Sequence, residues 1–436
     1  MEIGKKIFTI SAIVAIVFVI ALSMFAPCLS AEATDEAGDT GSISWILVSS
    51  ILVFAMTPGI AFFYGGMLRK QSMSSMITQT LIAMGVMTIS WIVVGYSLAF
   101  SGEGLFIGNL DKLFMSGVME NSTSGISEME FAMFQGMFAI VTAAIVLGAC
   151  AERIRYTAMI WFLVFWSVLV YAPMAHWVWG GGWFDEYLTV LDFAGGTVVH
   201  ICAGITGIAL ALFAGKRSER VRNSRAHNIP LAFLGCAILW VGWLGFNGGS
   251  GLAADGTAVR VIVVSMLSAA CGMMAWAAVQ YMVVGRVGVL GMIAGSIAGL
   301  VGITPGAGYV GIPESIVIGA VAGVLCFFAV RFTKSRLYFD DALDVFAVHG
   351  VGGIWGAIAT GIFAVSEYTG GVEGLIYGSV DLFVGQIIAV IATLAFCFTV
   401  SYILIWVISK FMRVCVTPEE ELVGQDLIEH GEHAYM

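Results

Sequence analysis

The chain has 436 residues, 59% of them hydrophobic and only 11% charged, with a net charge of −10. Its mean hydropathy is +0.96. A water-soluble domain carries roughly 45–50% apolar and about 25% charged residues, so this surplus is too large for one buried core and the bilayer is the expected solvent. The acidic balance leaves no basic face to neutralise phosphates, which argues against a nucleic-acid footprint.

The first segment has Lys5 and Lys6, an apolar stretch from Ile7 to Leu29, then small residues at Ser30, Ala31 and Ala33. That order predicts a signal peptide over 1–33, with a retained membrane helix as the alternative. A short acidic stretch, Glu32–Ser42, follows. Eleven apolar runs come next, near 43–68, 73–100, 130–150, 156–177, 193–214, 230–252, 257–284, 287–303, 313–332, 343–364 and 382–409. Each is long and none alternates as a barrel strand does, so the fold predicted is an all-α integral membrane protein of eleven transmembrane helices. The membrane domain is placed at 34–410 and a polar tail at 411–436. The eight cysteines form no CxxC pair and lie mostly inside apolar runs, as small buried hydrophobes do.

Alternate loops hold the basic residues: Arg69 and Lys70, Arg153 and Arg155, five between Lys216 and Arg225, Arg286, then Arg331, Lys334 and Arg336. By the positive-inside rule these loops and the tail are cytoplasmic, and the mature N-terminus is outside. An odd number of spans satisfies that.

Run five contains His200-Ile-Cys-Ala-Gly204-Ile-Thr-Gly207 and run ten His349-Gly-Val-Gly-Gly353-Ile-Trp-Gly356. Run one has Phe63-Tyr-Gly-Gly66 and run six Phe246-Asn-Gly-Gly249. Runs 1–5 and 6–10 therefore read as two copies. Five is odd, so the copies enter the membrane in opposite directions, an inverted five-plus-five repeat with a site between the halves. One intramembrane histidine often just ties helices together; two at equivalent positions point to a functional site. Glycines four and seven places after each histidine share its helical face and allow close packing. Two imidazoles without a third ligand at suitable spacing do not make a zinc centre. Asp192 reads as the N-terminal cap of run five, and Asp344 is expected to do the same for run ten. Phe134, Phe138, Trp179, Trp243 and Phe246 cluster towards the outer ends of their runs, where interfacial aromatics are ordinary but where ring faces can also attract a cation.

The stretches Asp192-Phe-Ala-Gly-Gly-Thr-Val-Val-His200, Gly242-Trp-Leu-Gly-Phe246-Asn-Gly-Gly-Ser250, Asp344-Val-Phe-Ala-Val-His349-Gly, Pro58-Gly-Ile-Ala-Phe-Phe-Tyr-Gly-Gly-Met67 and the tail His430-Gly-Glu-His-Ala-Tyr435 resemble the Amt branch of the Amt/Mep/Rh ammonium transporters. The resemblance runs from about residue 43 to the end. It implies a homotrimer in the cell membrane with a pore through each subunit. It also implies a recruitment site for ammonium at Phe134, Phe138, Trp179 and Ser250, a gate of Phe138 and Phe246, and His200 and His349 as twin pore histidines. Asp192 would support the outer site. No cofactor and no enzymatic activity are implied. A PII-family signalling protein is the expected partner at the cytoplasmic face. Gln425 stands where the family pattern has an apolar residue.

Overall fold

The structure, a computed structural model, describes residues 38–122, 124–336 and 339–435. The predicted signal peptide lies outside them. Among the described residues eleven apolar helices follow one another: α1 (Thr40–Met67), α2 (Lys70–Phe100), α3 (Glu128–Cys150), α4 (Tyr156–Tyr187), α5 (Gly196–Ala214), α6 (Ile229–Gly249), α7 (Gly256–Val284), α8 (Val289–Ile303), α9 (Ile312–Lys334), α10 (Phe346–Phe363) and α11 (Asp381–Phe411). Ten are long and apolar enough to cross a membrane. The exception, α8, has 15 residues and reaches about 22 Å at the ordinary helical rise. Among the described residues the only β pairing is an isolated bridge between Ile154 and Cys415.

The helices begin where short polar side chains can take the first free amides. Ser127 and Glu130 form a reciprocal capping box at the start of α3, Asn228 accepts from the Leu231 amide ahead of α6, and Asp255 from the Ala258 amide ahead of α7. Inside the bundle, hydroxyls turn back onto their own helix, as Thr142 does on the Phe138 carbonyl at 2.6 Å. Outward-facing side chains are apolar: Ile51, Val259, Phe332 and Ile391 are all more than half exposed. A helix apolar on both its inner and outer faces belongs in a lipid environment, so this is a multi-pass membrane protein.

The two copies read in the sequence meet across the middle. The most extensive helix pairing is α1 with α6, the first helix of each copy. They approach so closely that a methyl group on Gly235 would come 2.3 Å from the Phe63 nitrogen. The fifth helices, α5 and α10, also meet. A Cβ on Gly204 would lie 2.5 Å from the Gly350 backbone, and one on Gly353 would lie 3.0 Å from the Gly196 carbonyl oxygen. Each glycine four places after one histidine thus packs against the turn that carries the other histidine.

The tail folds back on the basic loops of its own chain. Beyond α11, the Arg155 amide donates to the Val414 carbonyl and the Val416 amide to the Arg153 carbonyl. A short helix, α12 (Pro418–Val423), opens with a Thr417–Glu420 capping box. Arg155 pairs with Glu420 and Glu429, Arg69 donates to the Glu421 carbonyl at 2.7 Å, and the Ser75 amide donates to Asp426 at 2.8 Å. Gln425 is buried and satisfied: its Nε2 donates to the Ile154 carbonyl at 3.0 Å and its Oε1 accepts from Ser75 Oγ. A polar residue is accommodated there because both ends of its amide find partners.

Candidate functional site

Two interrupted helix starts place the histidines. Ahead of α5, Asp192 accepts from the amides of Gly195, Gly196 and Thr197 and from the Thr197 hydroxyl. Gly195 takes a left-handed φ of 106°, and the chain then enters a wide π-turn, Gly196–Ile201, that carries His200. His349 lies 149 residues further on, and the same step leads from Asp192 to Asp341. Asp341 accepts from the amides of Val345 and Phe346 ahead of a second π-turn, Phe346–Gly350. The cap of α10 is therefore Asp341, which corrects the expectation for Asp344. Asp344 instead has a left-handed φ of 61° and an ion pair to Lys334 at 2.6 Å. Burial, reinforced by Asp344 alongside, pushes the Asp341 carboxyl up to about 7.

The two imidazoles meet Nδ1 to Nδ1 at 3.3 Å, with ring centres 5.3 Å apart and planes 34° apart. His200 is 1% exposed and His349 7%. At 3.3 Å the two nitrogens are within hydrogen-bonding reach, with one Nδ1 donating and the other accepting. Trp243 stacks on His200 at 5.2 Å and 27°, and its Nε1 donates to Thr304 Oγ1 at 3.0 Å. That contact was not assigned from the sequence. Its one signal was that Trp243 stands three residues before Phe246, hence on the same face of α6.

The residues assigned to the gate stand above the histidines. Phe138 and Phe246 are fully buried, with ring centres 4.3 Å apart, and Phe246 lies 5.9 Å from His200. Phe134 and Trp179 adjoin Phe138 at 4.9 and 6.0 Å. Trp179 is steadied by a bond from its Nε1 to the Asp192 carbonyl at 2.8 Å. Ser250 donates its hydroxyl proton to the Phe246 carbonyl at 2.8 Å, which leaves its lone pairs free to accept from a cationic donor. Phe134, Phe138, Trp179, Phe246, His200 and His349 thus form one continuous series of ring contacts, with Ser250 bonded to the backbone of Phe246 and Trp179 to that of Asp192.

The passage around the histidines is narrow and apolar, with Ile60, Val141, Ile145, Leu239 and Ile297 among its walls. Its other polar side chains are committed: Tyr64 donates to the Ile145 carbonyl and Trp243 to Thr304. His200 Nε2 is buried without a hydrogen-bond partner among the described residues. By contrast His176, also buried, has both ring nitrogens against backbone carbonyls, those of Ala99 and Gly104. Beyond His349 the passage widens into a vestibule of about 590 Å³ at the tail end, bordered by Arg217, Lys334, Asp341 and Asp344. Among the described residues no cluster of three or more His, Cys, Asp or Glu side chains suits a metal ion.

A bundle of apolar spans built as two opposed copies, with a thin passage between them, is the architecture of a membrane transporter. Residues 44–435 match the model of the Ammonium Transporter Family. The chain is 43% identical to the ammonium transporter of Bacillus subtilis over 399 residues, covering 91% of this chain and 98% of that one. It is also 43% identical to the ammonium transporter Amt1 of Archaeoglobus fulgidus, covering 91% and 99%. The crystal structure of Saccharomyces cerevisiae Mep2 superposes with a TM-score of 0.82 at 36% identity, covering 90% of this chain and 93% of that one. The chain belongs to the Ammonium Transporter Family, in its Amt branch, and its activity is ammonium transport, not enzymatic catalysis.

Proposed function

We propose that the chain recruits ammonium at Phe134, Phe138, Trp179 and Ser250, strips a proton from it, and conducts ammonia past His200 and His349. The observation that carries this reading is the pair of imidazoles 3.3 Å apart in a passage whose other polar groups are already bonded. Moving a charged ion through such walls is very costly. Desolvation favours the neutral form of a cationic acid, so the passage pushes ammonium towards ammonia and a proton. Ring faces and the free lone pairs of Ser250 suit the cation outside the gate, and the histidines give ammonia and the proton a polar route. Potassium has no proton to shed and is rejected. Asp192 supports the outer site by holding the turn and, through its carbonyl, Trp179.

The same reading places the protein in the cell membrane as a homotrimer serving nitrogen uptake, its mature N-terminus outside after removal of the signal peptide and its tail in the cytoplasm. The docked tail, beside the mouth of the vestibule, is the surface offered to a PII-family protein, whose threefold match to the trimer would add avidity. Reconstitution into vesicles tests the core of the proposal. Ammonium should evoke uptake and charge movement that potassium does not, and a His200→Ala/His349→Ala double variant that still transports selectively would overturn it. PII added to inside-out vesicles, with and without nucleotide and 2-oxoglutarate, should stop transport; no binding under any of these conditions removes the regulatory part alone.

A further inference from the structure

The two copies differ at one backbone position in a way that calls for a reason. The step of 149 residues from His200 to His349 also leads from Gly195 to Asp344. Both take a left-handed φ, 106° and 61°. Glycine adopts that conformation freely, whereas a residue with a Cβ adopts it at a cost. The α5 copy uses the cheap residue and the α10 copy does not, although its cap is already supplied by Asp341. A carboxylate held at a strained position, and not needed to cap its helix, is a candidate for function.

Its surroundings say which function. Asp344 borders the vestibule that reaches His349 and stands five residues before it in the chain. Its Oδ2 is paired with Lys334 of α9 at 2.6 Å, and its Oδ1 has no hydrogen-bond partner among the described residues. Its side chain is 21% exposed while Oδ1 itself is buried, so the carboxylate sits shielded at the edge of the vestibule. The charged and titratable groups around it are Lys334, Asp340, Asp341, Arg217 and, from α1, Tyr64. Burial lifts its carboxyl above the ordinary range while Lys334 pulls it back, which suits a group that both takes up and releases a proton.

We propose that Asp344 is the proton-relay residue on the vestibule side of the histidine pair, taking the proton that leaves His349 and returning it to ammonia. This rests on the proposed splitting of ammonium at the outer site. The N–H bond of the His349 imidazolium breaks and, through vestibule water, an O–H bond forms on the Asp344 carboxylate. The acid then gives the same proton to ammonia, which leaves as ammonium, and the carboxylate is restored beside Lys334. No net charge is left on the protein.

The repeat itself supplies the test variant. Asp344→Gly installs the residue that the α5 copy carries at this φ, so the turn should form without strain, and Asp344→Asn keeps the shape and an acceptor for Lys334. Both are reconstituted as full chains, with ammonium-evoked charge movement and ammonia entry (by a lumenal pH dye) measured separately. The expected result is a tenfold or greater loss of charge movement in both variants with ammonia entry retained, and recovery in Asp344→Gly with tens of millimolar formate on the tail side. Formate rescue is the readout that a merely structural role would not give. Wild-type charge movement in both variants, or a loss that formate does not restore, overturns the proposal. His200→Ala and His349→Ala are run alongside. If they lose charge movement while the Asp344 variants keep it, only the relay fails; if they also keep it, the underlying reading fails.

Discussion

From Asp192 to His200 and from Asp341 to His349 the chain makes the same turn: a carboxylate accepting amides, a left-handed residue, a π-turn, a histidine, then glycine four places on. What surrounds the two turns is different. Above His200 stand Trp243, Phe246 and Phe138, and its Nε2 has no partner among the described residues. Beyond His349 lies the vestibule, bordered by Asp341, Asp344 and Lys334. The same backbone device thus presents one imidazole to a dry, aromatic wall and the other to a polar chamber. The 3.3 Å contact between the rings thus joins an aromatic, apolar surround to one lined by charged side chains. The difference between the two imidazoles therefore lies in their surroundings and not in the groups themselves.

The sharpest way to break the comparison is to remove one histidine at a time. His200→Ala and His349→Ala should each reduce ammonium-evoked charge movement to that of protein-free vesicles, because on the proposed function either change interrupts the polar route through apolar walls. The two should fail differently. Without His200 no imidazole faces the gate; without His349 the route stops short of the vestibule, and external pH should still alter ammonia entry. Identical pH profiles for the two variants would show that the asymmetry has no functional weight.

The close approach of the two turns can be broken next. Gly204→Val drives a side chain into the Gly350 backbone and Gly353→Val into the Gly196 carbonyl. Overpacking ordinarily costs about 1–3 kcal/mol, and backbone can yield less than a side chain. Melting in detergent should show a clear loss for both, larger for Gly204→Val, whose added Cβ meets backbone at 2.5 Å against 3.0 Å for Gly353. Equal melting temperatures to the parent would mean that the turns are not in contact.

How far the sequence alone reached is visible in these same residues. His200, His349 and their glycines were legible because an intramembrane histidine is rare and the repeat shows it twice. The roles given to Phe138, Phe246, Trp179 and Ser250 came through the family resemblance, and no local pattern in the sequence places those residues side by side. The cap of α10 was misplaced: Asp341 precedes His349 by the same eight residues that separate Asp192 from His200, whereas Asp344 is nearer. With three aspartates close together, residue type did not discriminate and only the spacing could. Trp243 was seen as an aromatic near the outer end, but its stacking on His200 depends on how α6 crosses α5. The bonds from Trp243 to Thr304, and from Asn247 to Ser265, join side chains on separate helices, which no local pattern reports.

The caps give a smaller, graded contrast. Asp192 holds four donors and Asp341 two, and bonds to a charged group contribute roughly 1.5–3 kcal/mol each. Asp192→Asn should therefore lower stability more than Asp341→Asn. The pH dependence separates them further. A carboxyl raised from 3.8 to about 7 in the folded chain binds more protons folded than unfolded between those values. Its contribution is full below about pH 4, declines as pH rises and is lost above about 7. Melting followed from pH 4 to 8 should show a declining component that Asp341→Asn removes and Asp192→Asn leaves. A decline unchanged in Asp341→Asn would assign it to another group.

The smallest effect concerns the aromatic wall that only His200 has. Thr304 accepts from Trp243 Nε1 and donates its own hydroxyl hydrogen bond to the Leu300 carbonyl or the Asn247 Oδ1. Thr304→Val leaves a buried indole N–H without a partner, at a cost of about 1–3 kcal/mol. Trp243→Phe removes that donor and keeps a ring beside His200, so it should cost less, and the double variant should recover part of the Thr304→Val loss because no orphaned donor remains. On transport, a less constrained His200 ring should lower the rate by roughly tenfold at most, about 1.4 kcal/mol of barrier, with potassium still excluded. The matching disturbance on the other side, Lys334→Met, frees Asp344 without touching the aromatic wall. It should change the pH dependence of charge movement more than its maximal rate. If Thr304→Val shifted the pH profile instead and Lys334→Met only the rate, the assignment of a dry side to His200 and a polar side to His349 would be reversed.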